Sequence, residues 1–182
     1  GVLMCGYAGG VKRQCRTISD VASGTITVTG IPAVNFLSFR ISVPGMQGTS
    51  SPTLSFNGAT TTNNINGNIQ ERSGAADDLV SATTTMPFAV SSVSSSGLCG
   101  DVGCYYEGDI TGTSTVQKLI VWEGVNYQKG QAGVQGPRWH RGQFMYDNTS
   151  SAITEIKFTC AQDGTKCDSG TEIIISGYRN AP

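Results

Sequence analysis

Apolar and polar residues alternate along this chain in short runs punctuated by Gly, Asn and Pro, and no segment sustains a 3.6-residue period. In GTITVTG, Ile26 and Val28 alternate with threonines, the pattern of a half-buried strand. In the next run, Leu37, Phe39, Ile41 and Val43 are out of phase with Phe36, Ser38, Arg40 and Ser42. Ile31-Pro32 separates these runs, and the proline removes a ladder donor, so a bend is expected there. PTLSFNG reads as a short strand entering an Asn57-Gly58 turn, and NNINGNIQER as a weaker strand with its own Asn66-Gly67 turn. Residues 79–90 suit one or two strands, CYYEGDI a short aromatic strand and VQKLIVWEGVNY a central one; PRWHRGQFMYDN follows a Gly-rich loop. The final thirty residues read as a β-hairpin, Ala152–Cys160 and Thr171–Tyr178, stapled near its tip by Cys160 and Cys167. Eight to ten short strands at regular spacing predict an all-β protein, an antiparallel β-sandwich of jelly-roll-like form spanning residues 21–182. Residues 1–20, Gly-rich and cysteine-bracketed, stand apart as an N-terminal arm.

Composition narrows the setting. The 182 residues suffice for one domain with a sizeable core. Only 14% are charged and the net charge is −1, so the basic field of a nucleic-acid binder is missing. Twenty-four glycines and 39 serines and threonines, with many β-branched residues, suit an extracellular or particle-surface β protein. No apolar run reaches the roughly 18 residues of a membrane helix, so neither nucleic acid nor membrane is an expected partner.

Six cysteines fall as three close pairs: Cys5 with Cys15, Cys99 with Cys104, and Cys160 with Cys167. Six allow fifteen connectivities; pairing of neighbours is the simplest, because each pair brackets a polar, Gly-containing stretch. Zinc is the alternative for CGDVGC and CAQDGTKC, but four and six intervening residues sit at or beyond the usual ligand spacing. Disulfides point to an oxidising compartment or an extracellular particle. Acidic turns at Asp77-Asp78, Asp101 with Glu107 and Asp109, and Asp163 with Asp168 lack calcium-loop spacing and read as polar loop tips. No cofactor or metal is expected. The one histidine, His140, lies in Arg138-Trp139-His140-Arg141 with no nucleophile, zinc or phosphate-loop motif beside it. These four residues are therefore interface or ligand candidates with His140 at the surface, and Trp139 is the ring most suited to protein or sugar contact. Trp122, between apolar neighbours, reads as core. Asn148-Thr149-Ser150 fits a glycosylation acceptor.

From Gly24 onward the order of short motifs resembles a broad family of structural proteins in tailed-phage virions. The matching pieces are GTITVTGIP (24–32), FLSFRISV (36–43), LSFNG (54–58), AITEIKFT (152–159) and SGTEIIISGYR (169–179). The chain departs from that pattern in its three cysteine pairs, its stapled N-terminal segment and its Ser176-Gly177-Tyr178 ending. The resemblance implies a jelly-roll-like sandwich on the virion surface with no catalytic residues. It predicts a non-enzymatic capsid decoration or cement subunit whose partners are itself, as a homo-oligomer, and a major capsid or tail protein. Two further roles share this fold: a tail-fibre or receptor-binding sandwich taking a glycan, and a subunit of an extracellular filament. A hydrolase would need His140 beside a carboxylate in a pocket.

Overall fold

β-branched and aromatic residues at alternate positions build strands whose two faces differ in character. The computed structural model describes residues 2–8, 12–19, 24–45, 52–58, 65–71, 77–89, 103–112, 116–128, 136–160 and 167–178. These form thirteen strands: β1 (Val2–Ala8), β2 (Lys12–Ser19), β3 (Thr25–Thr29), β4 (Phe36–Val43), β5 (Thr53–Phe56), β6 (Ile65–Glu71), β7 (Asp77–Thr83), β8 (Met86–Pro87), β9 (Cys104–Thr111), β10 (Lys118–Gln128), β11 (Gly136–Tyr146), β12 (Glu155–Thr159) and β13 (Thr171–Tyr178). No helix occurs among the described residues.

The strands divide into two antiparallel sheets. The larger has the order β1-β2-β13-β4-β9-β10-β11-β6-β7 and the smaller β3-β12-β5-β8. Along the chain, β3 to β8 with β11 and β12 wrap back and forth between the sheets as an eight-strand jelly roll does. The β9–β10 hairpin is inserted between β4 and β11, and β13 with β2 and β1 extends the larger sheet beyond β4. Residues 1–20 thus supply a hairpin that joins this sheet through β2 and β13, with Cys5 directly opposite Cys15.

The closing segment differs from the hairpin that its sequence predicts. β12 pairs with β3 and β5, whereas β13 pairs with β2 and β4 in the other sheet. The reason is burial: Ile156 and Phe158 of β12 and Ile173 and Ile175 of β13 all enter one core, which the two strands reach from opposite sides. The Cys160–Cys167 disulfide, with Cα atoms 5.6 Å apart, ties this sheet-to-sheet corner instead of a hairpin tip. Both cysteines are buried. The Asn66-Gly67 turn is also absent. Both residues lie within β6, where Gly67 sits opposite Phe144 beside a β-bulge. Asn57-Gly58 does form its turn, with φ of 52° and 59°. Asn57 Oδ1 accepts from Thr154 N (2.8 Å) and Glu155 N (3.1 Å), which fastens this turn to β12.

The core is a layer of rings seated on glycines. Register places Phe39, Gly108, Trp122 and Gly142 side by side across β4, β9, β10 and β11. A Cβ on Gly108 would come within 2.6 Å of the Phe39 ring, and one on Gly142 within 2.2 Å of the Trp122 ring. The rings therefore lie across the glycine backbones. Phe88, which follows β8, presses into this layer from the other sheet. Its ring centroid is 4.2 Å from Tyr106, 4.8 Å from Trp122, 6.1 Å from Phe158 and 6.3 Å from Phe39. Its carbonyl accepts from Asn126 Nδ2 (3.1 Å), and Asn126 Oδ1 accepts from the Tyr106 hydroxyl. Removing a fully buried ring with this many partners leaves an inter-sheet cavity. Phe88→Ala is expected to lower unfolding stability by about 3–5 kcal/mol in a denaturant titration; a loss below about 1 kcal/mol would contradict its place as the inter-sheet contact.

Candidate functional site

β11 sends alternate side chains to opposite faces, so the Arg138–Arg141 cluster is not one site. Trp139 and Arg141 face outward, and Trp139 is 45% exposed. Arg138 and His140 share the inner face. Arg138 pairs with buried Glu71 at 2.5 Å. His140 is buried, at 1% exposure, rather than at the surface as its polar neighbours suggest. The cause is strand phase: His140 lies on the same face as Phe144 and Tyr146, directly opposite Glu71 and Gly124. Among the described residues, neither of its ring nitrogens has a hydrogen-bond partner, and neither does the neighbouring Trp122 Nε1. Trp122 is core, as its sequence context suggests.

The outward face of the larger sheet presents the candidate surface. One row runs across four strands: Phe36, Thr111, Leu119 and Met145. Phe36, Leu119 and Met145 are 43–47% exposed, and Val116 and Val121 nearby are also exposed. The adjacent row holds Ser38, Asp109, Val121 and Gln143, and the next Arg40, Glu107, Glu123 and Arg141. Between these two polar rows lies an open groove of about 640 Å³. Its floor is the backbone around Gly108, and Ile174 and Ser176 of β13 close one end. Arg40 pairs with Glu107 at 3.6 Å, and Glu107 also accepts from the Tyr105 hydroxyl at 2.7 Å. Desolvation first, then Glu107, holds the Tyr105 proton above its usual range. Arg141 Nε donates to Gln70 Oε1 at 2.8 Å. Trp139 does not line the groove.

The other candidate motifs have structural occupations. Asn148, first residue of the glycosylation motif, is 6% exposed. Its Oδ1 accepts from the backbone N–H groups of Ser150 (3.0 Å) and Ser151 (3.2 Å), and its Nδ2 donates to the Tyr146 hydroxyl (3.3 Å). That side chain holds the turn after β11. Its carbonyl accepts from buried Lys118 Nζ, whose pKa burial lowers. Cys160 and Cys167 are joined to each other and Cys104 is disulfide-bonded, which removes three thiolates from the zinc alternative. Cys99 and the acidic positions Asp101 and Asp163 lie outside the described residues, as do the side chains of Cys5, Cys15, Asp77 and Asp78. Among the described residues, no group of three or more His, Cys, Asp or Glu is arranged to hold a metal ion, and no helix is long and apolar enough to cross a membrane.

Compared with known proteins, the chain matches no family model, no curated protein and no solved structure. The apolar row escaped the sequence pattern because Leu119, Val121 and Met145 occupy the outward phase of their strands, and only register aligns them. The available signal was Phe36, an aromatic in phase with Ser38, Arg40 and Ser42.

Burial lowers the His140 pKa from 6.5 to about 4; Glu71 opposes the shift and Arg138 adds to it. Between these values the unfolded chain binds a proton that the folded chain refuses. The stability conferred by a neutral His140 is complete above the unfolded value and is lost as pH falls from 6.5 towards about 4. The loss is expected to approach about 3 kcal/mol. Urea titrations at stepped pH should show that slope, and His140→Phe should flatten it; an unchanged slope in the variant would assign the acid sensitivity elsewhere.

Proposed function

We propose that this chain is a non-enzymatic structural subunit of an extracellular particle, a capsid decoration or cement protein of the tailed-phage kind. It self-associates and docks on a lattice through the outward face of its larger sheet. The observation that carries this reading is the apolar row of Phe36, Leu119 and Met145, widened by Val116 and Val121. Exposed apolar side chains grouped on one sheet face mark contact with another macromolecule. Covering the exposed half of each is worth about 1 kcal/mol. The jelly-roll wrap and the buried disulfide at its corner support the particle setting, which the motif order from Gly24 to Arg179 suggests.

Leu119→Glu with Met145→Glu places two carboxylates opposite one another on this row. The variant should keep the wild-type circular dichroism spectrum and lose higher-order species in sedimentation velocity, with at least a tenfold weaker association. Unchanged assembly would overturn the docking role of this face.

The groove over Gly108 favours a second reading, a receptor-binding sandwich that takes a glycan. Planar groups that hydrogen-bond sugar hydroxyls line it: Arg40, Glu107, Asp109, Glu123, Arg141 and Gln143. A glycan array probed with wild type and with Glu123→Ala/Arg141→Ala decides this. Binding that the variant loses supports the glycan reading; binding by neither, or equally by both, removes it.

A further inference from the structure

Among the described residues the smaller sheet ends on β3, which pairs with β12 on one side. Cys160 N donates to Gly24 O at 2.9 Å, one step before Thr25 meets Thr159 in the ladder. In an antiparallel pair, bonded positions recur at every second residue. Gly24, Ile26 and Val28 therefore turn their backbone groups toward β12, and Thr27 and Thr29 turn theirs toward the open edge. The side chains of Thr27 and Thr29 are exposed, while Ile26 and Val28 are buried in the core.

Nothing in this strand blunts its edge. Proteins usually guard a free edge with Lys, Pro, a bulge or a very short strand. At its other end the smaller sheet shows two of these devices, since β8 has only two residues and one is Pro87. β3 has five residues, Thr-Ile-Thr-Val-Thr, with no charge, no proline and an unbroken register.

The strand is also a palindrome in side-chain character about Thr27. Laid antiparallel on its own copy, it sets Thr27 opposite Thr27, Thr25 opposite Thr29, and Ile26 opposite Val28. Threonines then meet threonines on the outward side, and branched apolar residues meet across the core side. Such pairs favour neighbouring strands. Because Thr27 presents both its N–H and its C=O to the edge, the two copies exchange both bonds at the centre. A two-fold axis through that point closes the arrangement as a dimer and consumes both edges.

We propose that β3 is a dimerisation edge, at which a second copy of this chain adds its own β3 about Thr27 and fuses two four-stranded sheets into one of eight. The proposal rests on the self-association inferred above but uses a different surface from the apolar row.

Two changes test it in the full chain. Thr27→Pro deletes an N–H that serves no bond to β12, so the sandwich is expected to retain its melting temperature while dimer dissociation rises at least tenfold in sedimentation equilibrium. Thr27→Cys brings two thiols onto the axis, with Cα atoms about 5.5 Å apart, inside the disulfide range. Lys157→Cys, on the neighbouring strand, places its pair about 14 Å apart, three strand spacings. Mild oxidation should therefore cross-link the first variant at least tenfold more than the second. Equal cross-linking, or wild-type dimerisation by Thr27→Pro, would overturn the edge pairing. If Thr27→Pro assembles normally while Leu119→Glu/Met145→Glu does not, the edge fails and the docking face stands. A wild-type chain that stays monomeric at every concentration tested removes both, and one whose β3 edge is taken up by a foreign strand overturns the dimer.

Discussion

The structure depends on the contact between Phe88 and the ring layer of the opposite sheet. Phe88 reaches its place because Phe39 and Trp122 lie flat, and they lie flat because Gly108 and Gly142 occupy the adjoining strand positions. A side chain at either glycine would lift a ring toward the small sheet and force the sheets apart. The hydrogen bonds from Tyr106 to Asn126 and from Asn126 to the Phe88 carbonyl then fix the polar groups that this packing buries. Glycine in a strand interior ordinarily weakens it, and here the rings laid across the gap restore the lost contact.

The division of labour between the two faces follows. The largest rings of the larger sheet's central strands point inward to Phe88 and Phe56. What remains outside is a mixed face with the Arg40–Glu107 ion pair and a groove, and an apolar row at the end of the strands. Among the described residues the smaller sheet spans four strands against nine, so the larger sheet carries the broader outward face.

Most of the individual strands were legible in the sequence, because Ile26/Val28, Leu37/Phe39/Ile41/Val43 and the β10 run alternate cleanly. Their partners were not. β12 and β13 look like a hairpin because the intervening turn is polar and cysteine-bracketed, yet a corner between sheets has the same local chemistry. Only the demand that Phe158 and Ile175 share one core separates the two. Asn66-Gly67 carries the composition of a tight turn, but Gly67 is there to let the Phe144 ring approach. His140 illustrates the same limit: flanked by Arg138, Trp139 and Arg141 it reads as surface, and strand phase alone buries it. The apolar row and the β3 palindrome are written in the sequence but gain meaning only when register and edge position are known.

The ring layer completes the sandwich from within, and the proposed β3 pairing would complete it from without with a second copy. Amide hydrogen exchange measured on the intact protein at dilute and concentrated conditions tests this most directly. Protection at the edge-facing amides of Thr27 and Thr29 is expected to rise with protein concentration, while β4, β9 and the centre of β10 are already protected at the lowest concentration. Protection that is independent of concentration at Thr27 and Thr29, or weak in the strands around Phe88 at every concentration, would overturn it.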